Sequence, residues 1–85
     1  MNKNILKIIS ANYLHGHTIR IVFNNNISRD VDFFPFLTNS TNHQIRDYLS
    51  IDKFKTFKIV NNDLMWGDYD LLFPINDLYS SKFSA

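Results

Sequence analysis

Acidic side chains crowd the last third of this sequence. Asp63, Asp68, Asp70 and Asp77 occupy a span that has no lysine or arginine between Lys58 and Lys82. Carboxylates this close together on a turn have two chemical uses. Asp68 and Asp70 could bind a divalent cation through hard oxygen ligands, or face a basic partner. A calcium loop needs a ligand at every second position, a central glycine and a closing Glu; the spacing here differs, and the chain has no Glu. Aspartates also accept hydrogen bonds from their own turns, and Asp77 in a first helical turn complements the helix dipole. Turn and capping roles therefore come first, a partner surface second and a metal last. The single tryptophan, Trp66, adjoins the cluster. Tryptophan anchors interfaces, but at the end of a strand it also closes a core, here against Leu78 or Tyr79, with the Tyr79 hydroxyl reaching solvent. The candidate protein-interaction set is Trp66, Asp68, Tyr69 and Asp70.

A second constellation alternates charge and ring. Lys53, Lys55 and Lys58 interleave with Phe54 and Phe57, a pattern that can grip a single nucleic-acid strand by stacking over a basic groove. Phe54 and Phe57 are more economically read as core residues, with the lysines outside discouraging edge pairing. His15 and His17 flank Gly16 on a loop; a metal would need further ligands, and His43 lies far along the chain. No cysteine is present and no serine sits in a G-x-S-x-G elbow. Asp30 and Asp32 share a strand face beside Arg29 and read as solvated. No catalytic residue, metal site or cofactor is expected.

The elements that must carry these residues belong to a small chain of 85 residues, expected to be one domain, 1–85, with a loose tail over about 80–85. Without disulfides, dense apolar packing has to hold it. Thirteen aromatic side chains (Phe 8, Tyr 4, Trp 1) can supply that packing. The net charge of +1 lacks the basic excess of a typical nucleic-acid binder. No run approaches a membrane span and no cleavable leader is evident, so a cytoplasmic location is expected.

Residues 4–10 are rich in β-branched side chains and predict a first strand, followed by a connection over 12–17. Residues 18–23 alternate cleanly, with Ile19, Ile21 and Phe23 on one side. Asn24–Asn26 predicts a tight turn and residues 27–33 a returning strand, with Arg29 oddly on the apolar side. Pro35 ends regular pairing, so Phe34–Leu37 should fold under the sheet. Thr41 and Gln44 fit a capping box for a helix over 42–50 that buries Ile45, Tyr48 and Leu49. Phe57 and Ile59 share one side of a strand over 56–60. Asn61–Asp63 predicts a second turn, 64–66 a fifth strand, 67–70 a polar turn, and Pro74 the start of a short helix with Ile75, Leu78 and Tyr79 inward. The expected class is α+β: an antiparallel sheet of about five strands, in the order β-β-β-α-β-β-short α, with helical cover on one face.

Ile19 through Asn24, Asp32-Phe33-Phe34-Pro35-Phe36-Leu37, Phe54 through Val60, and the closing set Trp66, Gly67, Asp70, Leu71, Pro74, Asp77, Leu78 and Tyr79 together resemble the small bacterial family catalogued as domain of unknown function 2442. The resemblance covers roughly residues 5–80. The chain departs from the family pattern where Gly67 directly follows Trp66, where Leu72-Phe73 lengthens the step to Pro74, and where asparagines replace a turn glycine. The resemblance implies a domain that stands alone, accompanies a second small protein as in a toxin–antitoxin pair, or is fused to a helix-turn-helix domain. It assigns no catalytic residues. The resulting expectation is a non-enzymatic protein-interaction module, the antitoxin-like partner of another small protein, with homodimerisation through a sheet edge as a further option. A nucleic-acid-linked regulator using the Lys53–Lys58 face is the alternative.

Overall fold

A computed structural model describes residues 5–80. It is α+β, with six strands divided between two three-stranded antiparallel sheets and helical turns covering them. The first sheet contains β1 (Ile8–His15), β2 (Thr18–Phe23) and β3 (Ser28–Asp32), in that order. The second contains β4 (Lys58–Val60), β5 (Asp63–Trp66) and β6 (Leu71–Phe73). Between them lie α1 (Phe34–Asn39), α2 (His43–Arg46), a 3-10 turn over Asp47–Leu49, and α3 (Ile51–Phe54); α4 (Ile75–Ser80) closes the fold.

In the first sheet the β2–β3 hairpin follows its alternation. Ile19, Ile21, Phe23 and Val31 are fully buried, while Arg20 and Asp30 pair across the outer face. Asn26 takes a φ of 69° in the connecting turn, a conformation that asparagine tolerates better than most residues. The first strand starts later than expected and runs through the expected connection; only Gly16 and His17 turn the chain. Residues 5–7 are instead tied down by Asn24. Its Oδ1 accepts from Lys7 N at 3.1 Å and its Nδ2 donates to Ile5 O at 2.8 Å. Asn4, in the expected first strand, and residues 81–85 of the expected tail lie outside the described residues.

Pro35 sits in the first turn of α1, where its missing amide costs nothing, and Asp32 Oδ1 accepts from Phe34 N at 3.0 Å. The helix expected over 42–50 is α2 running directly into the 3-10 turn as far as Leu49, and Ser50, with an extended ψ of 124°, separates it from α3. The N-cap of α2 is Asn42, whose side chain accepts from Gln44 N at 2.8 Å, rather than Thr41. The inward face holds: Tyr48 is buried and Ile45 and Leu49 pack against the core.

In the second sheet, Asn61 and Asn62 turn the chain with φ of 53° and 66°. Ile59 does not follow Phe57 toward the core; it is exposed. Leu71–Phe73 pairs with β5 as a sixth strand, where a turn leading into the last helix was expected. Leu71 and Phe73 are buried, so two more apolar side chains are gained before Pro74 redirects the chain.

The core lies between the sheets and the helical turns. The fully buried Phe33, Phe54 and Trp66 meet there with Phe73. The Trp66 ring stacks on Phe54 at 5.4 Å and meets Phe33 and Phe73 edge-on at 5.4 and 5.9 Å. These are the separations and angles at which aromatic quadrupoles attract. Arg29, the odd residue on the apolar side of β3, reaches the last helix. Its Nε donates to Tyr79 O at 2.8 Å and its guanidinium lies 5.0 Å from the Tyr79 ring centre.

Candidate functional site

Trp66, Gly67, Asp68, Tyr69 and Asp70 lie at the junction of β5 and β6, and the structure gives them different roles. Trp66 is entirely enclosed, and its Nε1 donates to Phe54 O at 2.7 Å, so the polar edge of the ring is used inside the core. It has no surface to offer a partner. Trp66 closes the core as expected of a strand-end tryptophan. The Tyr79 ring meets Phe23 at 4.9 Å, and its hydroxyl accepts from Asn25 Nδ2 at 3.1 Å on the exposed side.

The two carboxylates of the turn also diverge. Asp70 Oδ2 lies 3.4 Å from the hydroxyl of buried Tyr48. Burial first, and then the nearby Asp70 charge, push the Tyr48 hydroxyl above its ordinary value. Gly67 has a φ of 65°, and a Cβ there would stand 2.6 Å from Asp70 Oδ2 and 2.7 Å from the Tyr48 hydroxyl. Glycine is needed at this position for two reasons, its left-handed backbone and the two oxygens crowded against it. Asp68 is exposed, and its side chain makes no hydrogen bond or ion pair with the described residues.

Tyr69 is the exceptional residue of the turn. It is 63% exposed and its φ is 66°. Among the described residues, the three other non-glycine residues with positive φ are all asparagines, Asn26, Asn61 and Asn62. Left-handed backbone is costly for a bulky side chain. Tyr69 thus combines an unfavourable backbone with a ring that contributes little to the core. Outliers of this kind concentrate at functional sites.

The remaining carboxylates of this region serve the fold. Asp63 Oδ1 accepts from Ile75 N at 3.0 Å and so caps α4; Asp77 stands in the first turn of α4. Of the expected interaction set, the turn presents Asp68 and Tyr69 outward, holds Asp70 against Tyr48, and places Trp66 inside.

The basic constellation separates in a similar way. Phe54 is fully buried and Phe57 packs partly against the core, so neither ring stands between the lysines as a stacking surface. Lys53 lies 5.4 Å over the Tyr48 ring and 3.6 Å from Asp47 Oδ2; Lys55 lies 5.3 Å over the Tyr13 ring. Lys58 is exposed on β4. The histidines part as well. His15 is exposed, whereas the His17 ring is wedged between Phe34 and Phe54 at 5.5 and 4.9 Å. His17 Nε2 donates to Leu49 O at 2.8 Å. Among the described residues no three His or Asp side chains are placed to hold a metal ion. A shallow depression of about 340 Å³ is lined by Pro35, Phe36, Asn39 and Ser40 on α1; none of the four ionises as an acid–base catalyst does. No helix among the described residues is long and apolar enough to cross a membrane.

The sequence marks Gly67 as the start of the turn over 67–70 but gives Tyr48 only a core role. The one signal was Gly67 directly after Trp66, a departure from the family spacing; nothing in the sequence linked it to a tyrosine on another element. No family model, no curated protein and no solved structure matches the chain.

Proposed function

We propose that this chain is a non-enzymatic, cytoplasmic protein-interaction module that binds a basic segment of another small protein through the tip of the β5–β6 hairpin. The observation that carries this reading is Tyr69, a largely exposed aromatic in a left-handed backbone position that asparagine would occupy at lower cost. Tyrosine is among the residues that most often dominate interface energetics. Asp68 beside it supplies negative charge in a region without lysine or arginine from 59 to 81, which favours a basic partner. The resemblance to the bacterial family supports an antitoxin-like role in a two-protein pair.

Affinity capture from the source cells tests this, with wild-type protein compared with Tyr69→Asn and Asp68→Asn. A protein retained in stoichiometric amount by the wild type and lost with Tyr69→Asn supports the reading. An identical retained set for all three removes the hairpin tip as the binding surface. The competing nucleic-acid role of Lys53, Lys55 and Lys58 predicts a gel shift at low salt with a steep salt dependence. Self-association through a sheet edge is the third reading. β1, an edge strand of the first sheet, is irregular in its pairing with β2, with register shifts between Ile8 and Ser10 and between Tyr13 and His15. Bulges of this kind discourage edge-to-edge pairing. Light scattering distinguishes a dimer from a monomer.

A further inference from the structure

The Asp68–Tyr69 tip lies in the four-residue turn between the paired Trp66 and Leu71. Glycine at 67 is the most permissive residue, and tyrosine at φ 66° is in a conformation it would leave if free. What stands next to the turn is Tyr48, contributed by the 3-10 turn between α2 and α3. Its ring is buried and lies 6.3 Å from Trp66, the last residue of β5. Its outer side is covered by Lys53 Nζ at 5.4 Å. Its hydroxyl faces the start and the end of the turn at once. It lies 3.4 Å from Asp70 Oδ2, and within 2.7 Å of where a Gly67 side chain would begin.

We infer that Tyr48 is the positioning residue of the binding tip: its hydroxyl, seated over Gly67 and against the Asp70 carboxylate, fixes both ends of the turn and so holds Tyr69 outward in its left-handed backbone. The role assigned to the tip rests on the binding function proposed above; the geometry of the turn does not. Tyr48 needs no contact with the partner. The three-point arrangement explains why glycine follows the core tryptophan directly, since any side chain at 67 would displace the hydroxyl or the carboxylate. It also explains why Asp70 differs from Asp68, although both are exposed acidic residues of one short turn. Asp70 serves the turn from within and Asp68 remains available outside.

The test is nuclear magnetic resonance on the intact chain, with no partner present. A residue at φ 66° gives a strong amide–Hα cross-relaxation signal within itself, so Tyr69 reports its own backbone. Tyr48→Phe keeps the ring in the core and removes only the hydroxyl. It should reduce that signal by at least half as the turn samples ordinary backbone. Asp70→Ala should do the same, whereas Asp70→Asn, which keeps an accepting oxygen, should retain the wild-type signal. Asn61 and Asn62, at the opposite end of β5, serve as the control and should stay unchanged in all three variants. The inference is overturned if Tyr48→Phe leaves the Tyr69 signal as in the wild type. It is also overturned if Asn61 and Asn62 change in step, which would mark a general loosening of the fold. Because the readout needs no partner, a negative result leaves the binding role of the tip standing. Conversely, a Tyr69→Asn protein that still captures the partner would end the binding reading without touching the positioning role.

Discussion

Replacing Tyr69 by asparagine and, separately, by valine isolates the cost of its backbone conformation. Both substitutions remove the same ring, which is 63% exposed, so the packing lost is similar in the two and largely cancels in their difference. What differs is tolerance of φ 66°. Left-handed backbone costs an ordinary residue about 1–2 kcal/mol. Asparagine tolerates this conformation better than most residues, and three asparagines among the described residues adopt an equivalent φ. Valine, branched at Cβ, fits the conformation worst. Tyr69→Asn should therefore be more stable than Tyr69→Val by about 1 kcal/mol, a separation of roughly 4–8 °C in Tm for a domain of this size. Thermal unfolding followed by far-ultraviolet circular dichroism, with a urea titration alongside, measures it. Relative to the wild type, Tyr69→Asn should lie within about 1 kcal/mol, because relief of the backbone offsets the little packing lost. A valine variant as stable as the asparagine variant would refute the backbone argument. An asparagine variant destabilised by more than about 2 kcal/mol would show that the ring supports the fold and is not held for a partner.

Other substitutions probe the supports of the tip and the core. Gly67→Ala places a Cβ 2.6 Å from Asp70 Oδ2 at a φ of 65° and should cost about 2 kcal/mol or more, read by urea denaturation. Trp66→Phe leaves Phe54 O without its buried donor and opens space beside Phe33 and Phe73; a loss of about 2–4 kcal/mol is expected, followed by circular dichroism because the only indole is gone. Arg29→Gln removes the guanidinium from the Tyr79 carbonyl and ring and should cost about 1–2 kcal/mol, with faster amide exchange confined to α4. Tyr48 makes stability pH-dependent on the alkaline side. Its folded-state value is raised by burial and then by Asp70, while the unfolded chain ionises it near the ordinary 10.0. In that window the unfolded state binds fewer protons, so stability is intact below the unfolded value and falls as pH rises toward the folded one. Tyr48→Phe should flatten this part of the alkaline profile.

The local patterns were legible because they depend on near neighbours in the chain. Alternation over residues 18–23 requires one buried face, and Ile19, Ile21 and Phe23 form it. Asparagine runs mark turns because few other residues accept positive φ, and Asn26, Asn61 and Asn62 adopt it. The α+β class followed from the order of such elements. The division into two sheets did not, because sheet membership depends on which edges meet, and alternation says nothing about that. Leu71–Phe73 could be read as a strand only once β5 was present to pair with it. Arg29 looked misplaced on an apolar face until α4 brought the Tyr79 carbonyl to it.

The candidate site divides along the same line. By its own composition the sequence determined that residues 67–70 form an acidic turn at the end of a strand, with an aromatic on either side of its glycine. Only the tertiary structure decided which of those groups are available. It put Trp66 inside, because the neighbouring Phe33, Phe54 and Phe73 need a large flat ring between them and Phe54 O needs its donor. It held Asp70 against a hydroxyl 22 positions away and left Asp68 and Tyr69 to solvent. Turn chemistry is written in adjacent residues. The division between inside and outside is set by contacts between distant ones, and these arise only when the chain has closed on itself.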